Sequence, residues 1–259
     1  MKEMIFIPTL NRVDEQYTLA WFSDAFIRKY DVTIVCPPKE LTKHAKYDRN
    51  VLVCDKKGIG PTRQFIMEYA QYNGIEKVIM CDDDHIHWYH RISPDSYHLR
   101  NATKPECEAM FERIFKKLDE YAMVGMSARS GNNRFFPATE LEAIRQNNIH
   151  GIRTDIYFQE GIRFDRVPLM EDFDVILSFL EAGYPNLLLV DVAWGQLSSN
   201  APGGCSTYRN NALQTTAAYA LKALHPKFVT VHKKKAATWG EMAERDDVIC
   251  YWKKALGAA

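Results

Sequence analysis

The chain has 259 residues, 46% hydrophobic and 25% charged, which is the composition of an ordinary globular protein. Its 33 basic and 33 acidic residues give a formal net charge of zero, which argues against a chain whose whole surface attracts nucleic acid. The six cysteines form no Cys-x-x-Cys pair, so we expect free thiols in a reducing compartment and no zinc framework. No apolar run approaches the ~20 residues of a membrane span, and the N-terminus lacks a signal peptide's apolar stretch, so we expect a soluble protein.

The first part of the chain alternates short apolar runs with amphipathic stretches. Apolar runs predict strands over 4–7, 32–36, 51–54 and 78–81, and amphipathic stretches predict helices over 17–26 and from about residue 61. This alternation indicates an α/β fold with a doubly wound, mostly parallel sheet flanked by helices, and leaves the order of the strands open.

The second part of the chain is less regular. A capping box at 103–106 predicts a helix to about residue 118, followed by a strand over 121–126 and a short helix near 140–146. A hairpin is predicted over 151–158 and 162–164, then a helix over 171–183 and a strand over 186–194. A helix over 208–223, a last strand over 227–231 and a helical tail over 239–256 complete the chain. Without repeats or low-complexity linkers, we expect one domain.

Three consecutive carboxylates, Asp82-Asp83-Asp84, follow the strand over 78–81. The carboxyl ends of strands are where an open α/β sheet binds its ligands. Carboxylates this close repel one another, and Mg²⁺ or Mn²⁺ removes the conflict because oxygen ligands suit these ions. The alternative is a solvated acidic turn, and the triplet alone does not decide between the two.

Two loops could hold the other parts of a nucleotide. The loop Pro8-Thr9-Leu10-Asn11-Arg12 follows the first strand and could bind a nucleobase or ribose, although for each residue taken singly helix capping, by Asn11 or Asp14, is the stronger explanation. The loop over 58–63 enters a helix whose free N–H groups could bind phosphate, with Arg63 as a bidentate partner. Its alternative is a tight turn with a surface arginine.

Acidic residues also begin a later helix, at Glu171-Asp172. Acidic side chains in a first helical turn complement the helix dipole, and this effect alone can explain the presence of Glu171 or of Asp172. The functional interpretation is a catalytic base, because transfer of a group to a hydroxyl needs a carboxylate that accepts the proton.

Glycines and basic residues mark two further candidate sites. Gly203 and Gly204 precede a helix with Cys205 and Arg209, which favours an anion site over a plain flexible loop. The run over 232–235 begins with His232, our first choice among the histidines for a third metal ligand, because it follows the last predicted core strand. Lys233, Lys234 and Lys235, together with Arg129 and Arg134, could provide a local track for phosphates.

Taken in order, these motifs resemble a known family. Pro-Thr-x-Asn-Arg, Gly-x-Gly-x-x-Arg-Gln, Asp-Asp-Asp and Glu-Asp in this sequence resemble inverting glycosyltransferases of the GT-A fold. The segments over 170–172 and 203–209, with Trp194 between them, resemble the TET/JBP-associated glycosyltransferases, which act on hydroxymethylated pyrimidines in DNA. The resemblance covers roughly residues 4–235.

The resemblance implies a metal-dependent transfer from a nucleotide sugar, for which a UDP-sugar is expected, to 5-hydroxymethylpyrimidine in phage DNA within the host cytoplasm. It also implies a nucleotide-binding half (1–90), an acceptor-binding half (91–235) and a C-terminal helical tail (236–259). The donor would contact Pro8, Thr9, Asn11, Arg12, Asp55, Gly60, Arg63, Asp82 and Asp83. Asp82, Asp84 and His232 would hold Mn²⁺ or Mg²⁺, and Asp172 or Glu171 would be the base. Trp194, Gly203, Gly204, Cys205 and Arg209 would face the acceptor or phosphate.

Two other functions fit the same motifs. A GT-A transferase could build a cell-surface or capsule glycan, for which a lipid-facing apolar segment would be expected and is not found in the sequence. A nucleotide-binding module could hold metal on the same carboxylates without turnover.

Overall fold

The computed structural model describes residues 2–47, 49–196, 203–235 and 244–257. The helices are α1 (Asp24–Lys29), α2 (Leu41–His44), α3 (Ile59–Tyr72), α4 (Lys104–Lys117), α5 (Thr154–Gln159), α6 (Glu171–Glu181), α7 (Asn211–Leu224) and α8 (Trp252–Leu256). The strands are β1 (Glu3–Pro8), β2 (Thr33–Cys36), β3 (Asn50–Val53), β4 (Lys77–Cys81), β5 (His85–Arg91), β6 (Leu99–Asn101), β7 (Met123–Ala128), β8 (Glu140–Glu142), β9 (Ile149–Arg153), β10 (Asn186–Gln196), β11 (Val229–Lys235) and β12 (Glu244–Cys250).

The central sheet has the strand order β3-β2-β1-β4-β9-β7-β10-β5-β6, and β8 also pairs with β10. Strands β3, β2, β1 and β4 are parallel to one another, and β7 is parallel to β10. Strand β9 is antiparallel to both β4 and β7, so those two strands point in the same direction. The carboxyl ends of β1, β2, β4, β7 and β10 therefore lie at one edge of the sheet, the edge where α/β folds bind ligands.

Hydrophobic side chains cover both faces of this sheet. Along β1, Met4 and Phe6 belong to one core cluster and Ile5 and Ile7 to the other, because successive strand residues point to opposite faces. Helices α3, α5 and α6 pack on the first face, and α1 and α4 pack on the second. The predicted doubly wound α/β sheet in a single domain is confirmed.

Three local predictions in the body of the domain are wrong. Residues 140–142 form an edge strand on β10 instead of a helix, and residues 154–159 form α5 instead of the first arm of a hairpin. Residues 19–21 form a 3-10 turn before α1, which starts only after the Ser23 cap. Short apolar stretches do not by themselves separate a strand from a buried helix, so the neighbouring elements decide.

The predicted helical tail is also corrected. Residues 244–250 form β12, which pairs with β11 in a separate two-stranded sheet, and only 252–256 are helical. Residues 239–243 of the prediction lie outside the described residues. Opposite charges face each other across β11 and β12, as in the pair of Lys233 with Asp246, and such cross-strand pairs favour a sheet.

Among the described residues, no helix has both the length and the apolar character that crossing a bilayer requires.

We expect Gly151→Ala to lower the free energy of unfolding by about 1–3 kcal/mol, because overpacking pushes a strand away from its covering helix. Gly151 lies in β9, where an added Cβ would stand 2.5 Å from Ile114 Cγ2 and 3.0 Å from the carbonyl oxygen of Val124. Urea denaturation measures the change. Gly257→Ala is the control, since its added Cβ would meet nothing closer than 3.4 Å. Equal losses in both variants would contradict the packing argument.

Candidate active site

The three aspartates after β4 are held in a fixed turn by Thr18. The Thr18 hydroxyl donates to the Asp82 carbonyl at 2.6 Å and accepts from the amide of His85 at 3.1 Å. The Thr18 amide donates to the Asp83 carbonyl at 3.1 Å. Asp83 and Asp84 are only 3% and 9% exposed, so the triad is not a solvated acidic loop.

Two of these carboxylates bind the loop after β1. Arg12 Nη1 donates to Asp83 Oδ1 at 2.8 Å and to Asp84 Oδ2 at 2.9 Å. The Thr9 hydroxyl donates to Asp83 Oδ2 at 2.5 Å. Burial raises the pKa of Asp83 to about 7, against the effect of these donors. Asp83 is thus the internal partner of Thr9 and Arg12, and both of its oxygens accept hydrogen bonds from them.

Arg63 joins the triad to the start of α6. Its Nη2 donates to Asp82 Oδ1 at 2.9 Å, and its Nη1 donates to Glu171 Oε1 at 2.6 Å. The guanidinium is buried, and Asp172 adds to the charges that raise its pKa. Residues predicted separately for phosphate, metal and base therefore share one buried cluster.

Two backbone features allow this approach of α3 to α6. Gly60 faces the carbonyl oxygen of Phe164, which an added Cβ would meet at 2.6 Å, and it also faces the Glu171 side chain. Met170, the residue before α6, has a φ of 64°, a left-handed conformation that non-glycine residues adopt only at a cost. The left-handed Met170 therefore immediately precedes the turn whose Glu171 contacts Arg63.

The charge of the cluster fits a divalent cation. Among the described residues, the cations that form ion pairs with Asp82, Asp83, Asp84 and Glu171 are the guanidinium groups of Arg12 and Arg63. Burial raises the pKa of Asp82 and of Asp84, and the charge of Asp82 adds to the effect on Asp84. Asp84 Oδ1 is buried and has no hydrogen-bond partner among the described residues.

The described side chains do not by themselves complete a metal site. Within 2–47, 49–196, 203–235 and 244–257, no group of three or more His, Cys, Asp or Glu side chains is arranged to hold a metal ion. Mg²⁺-type ions are commonly held by one or two carboxylates together with substrate phosphates, which agrees with Asp82 and Asp84 as protein ligands.

The segment over 203–209 covers the cluster from the side of Arg12. Gly203 has a φ of 93° and lies so close to Arg12 that an added Cβ would stand 2.7 Å from its Cγ. The Gly204 amide donates to the Leu10 carbonyl at 3.0 Å. Burial raises the pKa of the Cys205 thiol to about 11, and the nearby charges of Glu171 and Asp82 add to this effect.

The same segment reaches the start of α3 through Tyr208. The Tyr208 hydroxyl accepts from the Ile59 amide at 3.2 Å and donates to Cys205 Sγ at 3.0 Å. Arg209 is half-buried, its amide donates to the Cys205 carbonyl at 3.0 Å, and its charge also acts on the Cys205 thiol. The predicted anion segment, Gly203 to Arg209, therefore lies beside the predicted metal ligands.

A cavity of about 520 Å³ opens next to the loop after β1. It is lined by Asn11, Val13, Asp14, Lys39, Glu40, Lys43 and Lys46. Asn11 adopts a left-handed φ of 57°, and its amide donates to the buried Glu40 carboxylate at 3.1 Å. Pro8 ends β1 opposite Val35, and Asp55 is exposed just after β3.

Two predicted site residues lie elsewhere. Trp194 is 3% exposed and its indole N–H donates to the Met126 carbonyl at 3.0 Å, so it packs in the core and has almost no surface for an acceptor. His232 lies in β11, outside the central sheet, and its Nδ1 is 3.1 Å from the Lys233 carbonyl oxygen. The sequence predicts that His232 returns to the strand ends of the central sheet, but among the described residues β11 pairs with β12 and with no strand of that sheet.

Sequence reasoning missed Thr18 and Tyr208. Thr18 precedes Asp82 by 64 residues and lies in a segment that the apolar pattern assigned to a helix, so no local signal marked it. Tyr208 stands inside the segment already singled out for its glycines, and its position at the start of a predicted helix was the available signal.

The chain is similar in sequence to a known family and in structure to several solved proteins. A sequence profile of the family described as TET-Associated Glycosyltransferase matches residues 4–204. The mannosyltransferase PcManGT from Pyrobaculum calidifontis, in complex with GDP-Man and Mn²⁺, is 14% identical with a TM-score of 0.55, over 87% of this chain and 63% of that one. A mycobacterial protein is 9% identical with a TM-score of 0.55, over 96% of this chain and 84% of that one.

GalNAc-T7 with UDP, GalNAc and Mn²⁺ is 11% identical with a TM-score of 0.49, over 86% of this chain and 47% of that one. No curated protein sequence matches this chain significantly. At such identities the similar structures show the fold, which is that of GT-A nucleotide-sugar transferases.

We expect Arg63→Ala to lower the free energy of unfolding by about 3–5 kcal/mol, because it leaves the buried Glu171 and the half-buried Asp82 without their guanidinium partner. Arg163→Ala is the matched control: Arg163 pairs with Asp165 at the surface, and its loss should cost less than about 1 kcal/mol. Chemical denaturation of both variants measures the difference. A small loss for Arg63→Ala would show that the cluster does not need its central cation.

Stability should also depend on the protonation of Glu171. Burial raises the pKa of Glu171 from 4.5 to about 7. A carboxyl group with a higher pKa in the folded protein stabilises the fold while protonated, so its contribution is lost as pH rises from the unfolded to the folded pKa. We expect the Tm in EDTA to fall between about pH 5 and pH 7 for wild type and to fall less for Glu171→Gln. Superimposable profiles in differential scanning fluorimetry would contradict this.

Proposed function

Since this chain belongs to the TET-associated glycosyltransferase family, we propose that it transfers a sugar, with inversion, from a nucleotide sugar to the hydroxyl of 5-hydroxymethylpyrimidine in DNA. The chain is a glycosyltransferase by family, and the acceptor and the individual residue roles are the proposal. The alternative acceptors, a cell-surface or capsule glycan, have no specific feature of the structure in their favour.

The observation that carries the proposal is the ion-pair chain from Asp82 through Arg63 to Glu171. Asp82 comes from the sheet edge and Glu171 from α6, and the charge of Asp172 acts on both carboxylates. A donor bound at the sheet edge would therefore place its leaving diphosphate within the same site as the proposed base.

The donor has a separate place for each of its parts. The cavity beside Asn11, at about 520 Å³, has the size of a small-molecule site and would take the nucleoside. Asp82 and Asp84 would hold the divalent cation, which neutralises charge on the departing diphosphate when it is bound. PcManGT was solved with GDP-Man and Mn²⁺ and GalNAc-T7 with UDP and Mn²⁺, so both UDP-sugars and GDP-sugars are candidate donors.

Between the two candidate bases, the contacts favour Asp172. Glu171 is buried and engaged by Arg63, so its role would be to position that guanidinium. Asp172 is partly exposed, and no hydrogen bond from a described residue engages its carboxylate. In the transfer, Asp172 would accept the proton of the acceptor hydroxyl. The hydroxyl oxygen would bond to the anomeric carbon of the sugar as the bond between that carbon and the diphosphate breaks.

We expect the wild type to add a hexose to hydroxymethylated DNA, and Asp172→Asn to lower the rate by at least about 100-fold while donor binding persists, because a general base contributes on the order of 10²–10⁴. Asp155→Asn, in the exposed first turn of α5, is the matched control and should keep full activity. The measurement is the mass of nucleosides digested from DNA after incubation with Mn²⁺ and a panel of UDP-sugars and GDP-sugars.

The outcomes separate the claims. An unchanged nucleoside mass with every donor, together with donor hydrolysis, would remove DNA as the acceptor. Full activity of Asp172→Asn would remove Asp172 as the base, and a loss confined to Glu171→Gln would assign that role to Glu171.

A further inference from the structure

The lysine run that the sequence offered for phosphate contacts is neutralised in the fold. Each of its members pairs with a carboxylate of the neighbouring strand β12: Lys233 with Asp246 at 3.0 Å, Lys234 with Asp247 at 2.9 Å, and Lys235 with Glu244 at 3.4 Å. A phosphate would have to compete with three carboxylates at this place, so the run is a poor site for a polyanion.

The two arginines of the predicted track behave differently. Arg129 and Arg134 are exposed, and neither has a carboxylate partner among the described residues. The guanidinium of Arg129 lies 5.3 Å from the ring centre of Tyr89, and that of Arg134 lies 4.8 Å from the ring centre of Phe135. Aromatic rings orient these cations without neutralising them.

Exposed aromatic rings continue this surface. Tyr97 is 50% exposed and Phe136 is 37% exposed, and their ring centres are 6.4 Å apart. The buried guanidinium of Arg91 lies under Phe136 and is fixed by the carbonyls of Pro137 and Val190, each at 3.2 Å. We call Tyr89, Tyr97, Arg129, Arg134 and Phe136 the arginine–aromatic surface.

The surface begins at the sheet edge that carries the active site. Arg129 follows the carboxyl end of β7, just as Asp82 follows β4, and the two strands point in the same direction. The Arg129 amide donates to the Trp194 carbonyl at 2.7 Å. Strand β5 starts at His85, directly after the triad, and carries Tyr89 away from it along β10. At about 3.3 Å per residue, β5 spans roughly 20 Å, the length of a few nucleotides.

The two segments of this surface are poor in acidic residues, although one of their arginines, Arg100, pairs with Glu106. The segments 85–101 and 127–137 together contain four arginines and four histidines, and their single acidic residue is Asp95. The buried Asn132 anchors the second segment, since its side-chain amide donates to Ser127 Oγ at 2.9 Å and to the Val190 carbonyl at 3.0 Å.

We infer that the arginine–aromatic surface binds the acceptor strand of nucleic acid, with phosphates on Arg129 and Arg134 and an unpaired base stacked on Tyr97 and Phe136. Guanidinium groups bind phosphate with two hydrogen bonds, and aromatic faces stack on any base. The inference rests on the proposed function, because it assigns the binding surface for that acceptor.

Fluorescence anisotropy with a labelled single-stranded DNA that carries no hydroxymethyl group tests the surface without the chemistry. We expect Arg129→Gln/Arg134→Gln to raise Kd at least about 10-fold and to flatten the slope of log K against log salt by about 1.4, which corresponds to two lost phosphate contacts. Lys233→Gln/Lys234→Gln is the matched control and should bind as wild type does.

A second pair of variants tests the aromatic part. Tyr97→Ala should raise Kd at least about fivefold through lost stacking. Tyr72→Ala is the control and should not change Kd, because Tyr72 is a 91% exposed tyrosine at the end of α3 and is not part of this surface. Thermal melting and donor hydrolysis, which need no acceptor, should be the same in all four variants and wild type.

The result that overturns the inference is wild-type affinity in Arg129→Gln/Arg134→Gln, an equal loss in the lysine control, or no binding of DNA by the wild type. Sugar transfer to DNA with an unchanged KM for DNA in the arginine variant would sink the inference and leave the proposed function standing. Arginine-dependent binding of DNA without any sugar transfer would support the inference and count against the proposed function.

Discussion

The buried guanidinium of Arg63 is the interaction on which the candidate site depends. It lies between a carboxylate at the end of β4 and one at the start of α6, two elements that are far apart in the chain. Removing the cation would leave the buried Glu171 and the half-buried Asp82 with like charges near them, which costs several kcal/mol. The close approach at Gly60 and the left-handed Met170 are the backbone conditions for this contact.

Negative charge at the sheet edge is in excess even with two arginines present. Asp84 keeps a buried oxygen without a partner among the described residues, while both oxygens of Asp83 are occupied by Thr9 and Arg12. The two adjacent carboxylates therefore differ in role: Asp83 is a structural anchor, and Asp84 has an oxygen available to a cation. The positive charge that balances the chain is placed elsewhere, partly on Arg129 and Arg134, which no carboxylate of the described residues neutralises.

Much of the site could be predicted from local sequence. The triad after an apolar strand, the Gly-x-Gly loop with Arg63, and the acidic start of α6 are short patterns whose chemistry is visible in the residues themselves, and the fold places them in one cluster. The sequence did not indicate that Trp194 is buried or that His232 lies in a separate two-stranded sheet, and the two omissions have a common reason. Each follows or ends a strand in the sequence, but burial of Trp194 and the pairing of β11 with β12 depend on partners distant in the chain.

The sequence by itself determined the alternation of strands and helices, the resemblance to GT-A transferases and the residue types that end each strand, because periodicity and motifs are properties of neighbouring residues. The tertiary structure decided which charges meet: it pairs Lys233 with Asp246, leaves Arg129 without an acidic partner among the described residues, and brings Thr18 to the triad. The physical reason is that charge pairing and burial act between residues brought close by folding, and an amino-acid sequence records only which residues are adjacent along the chain.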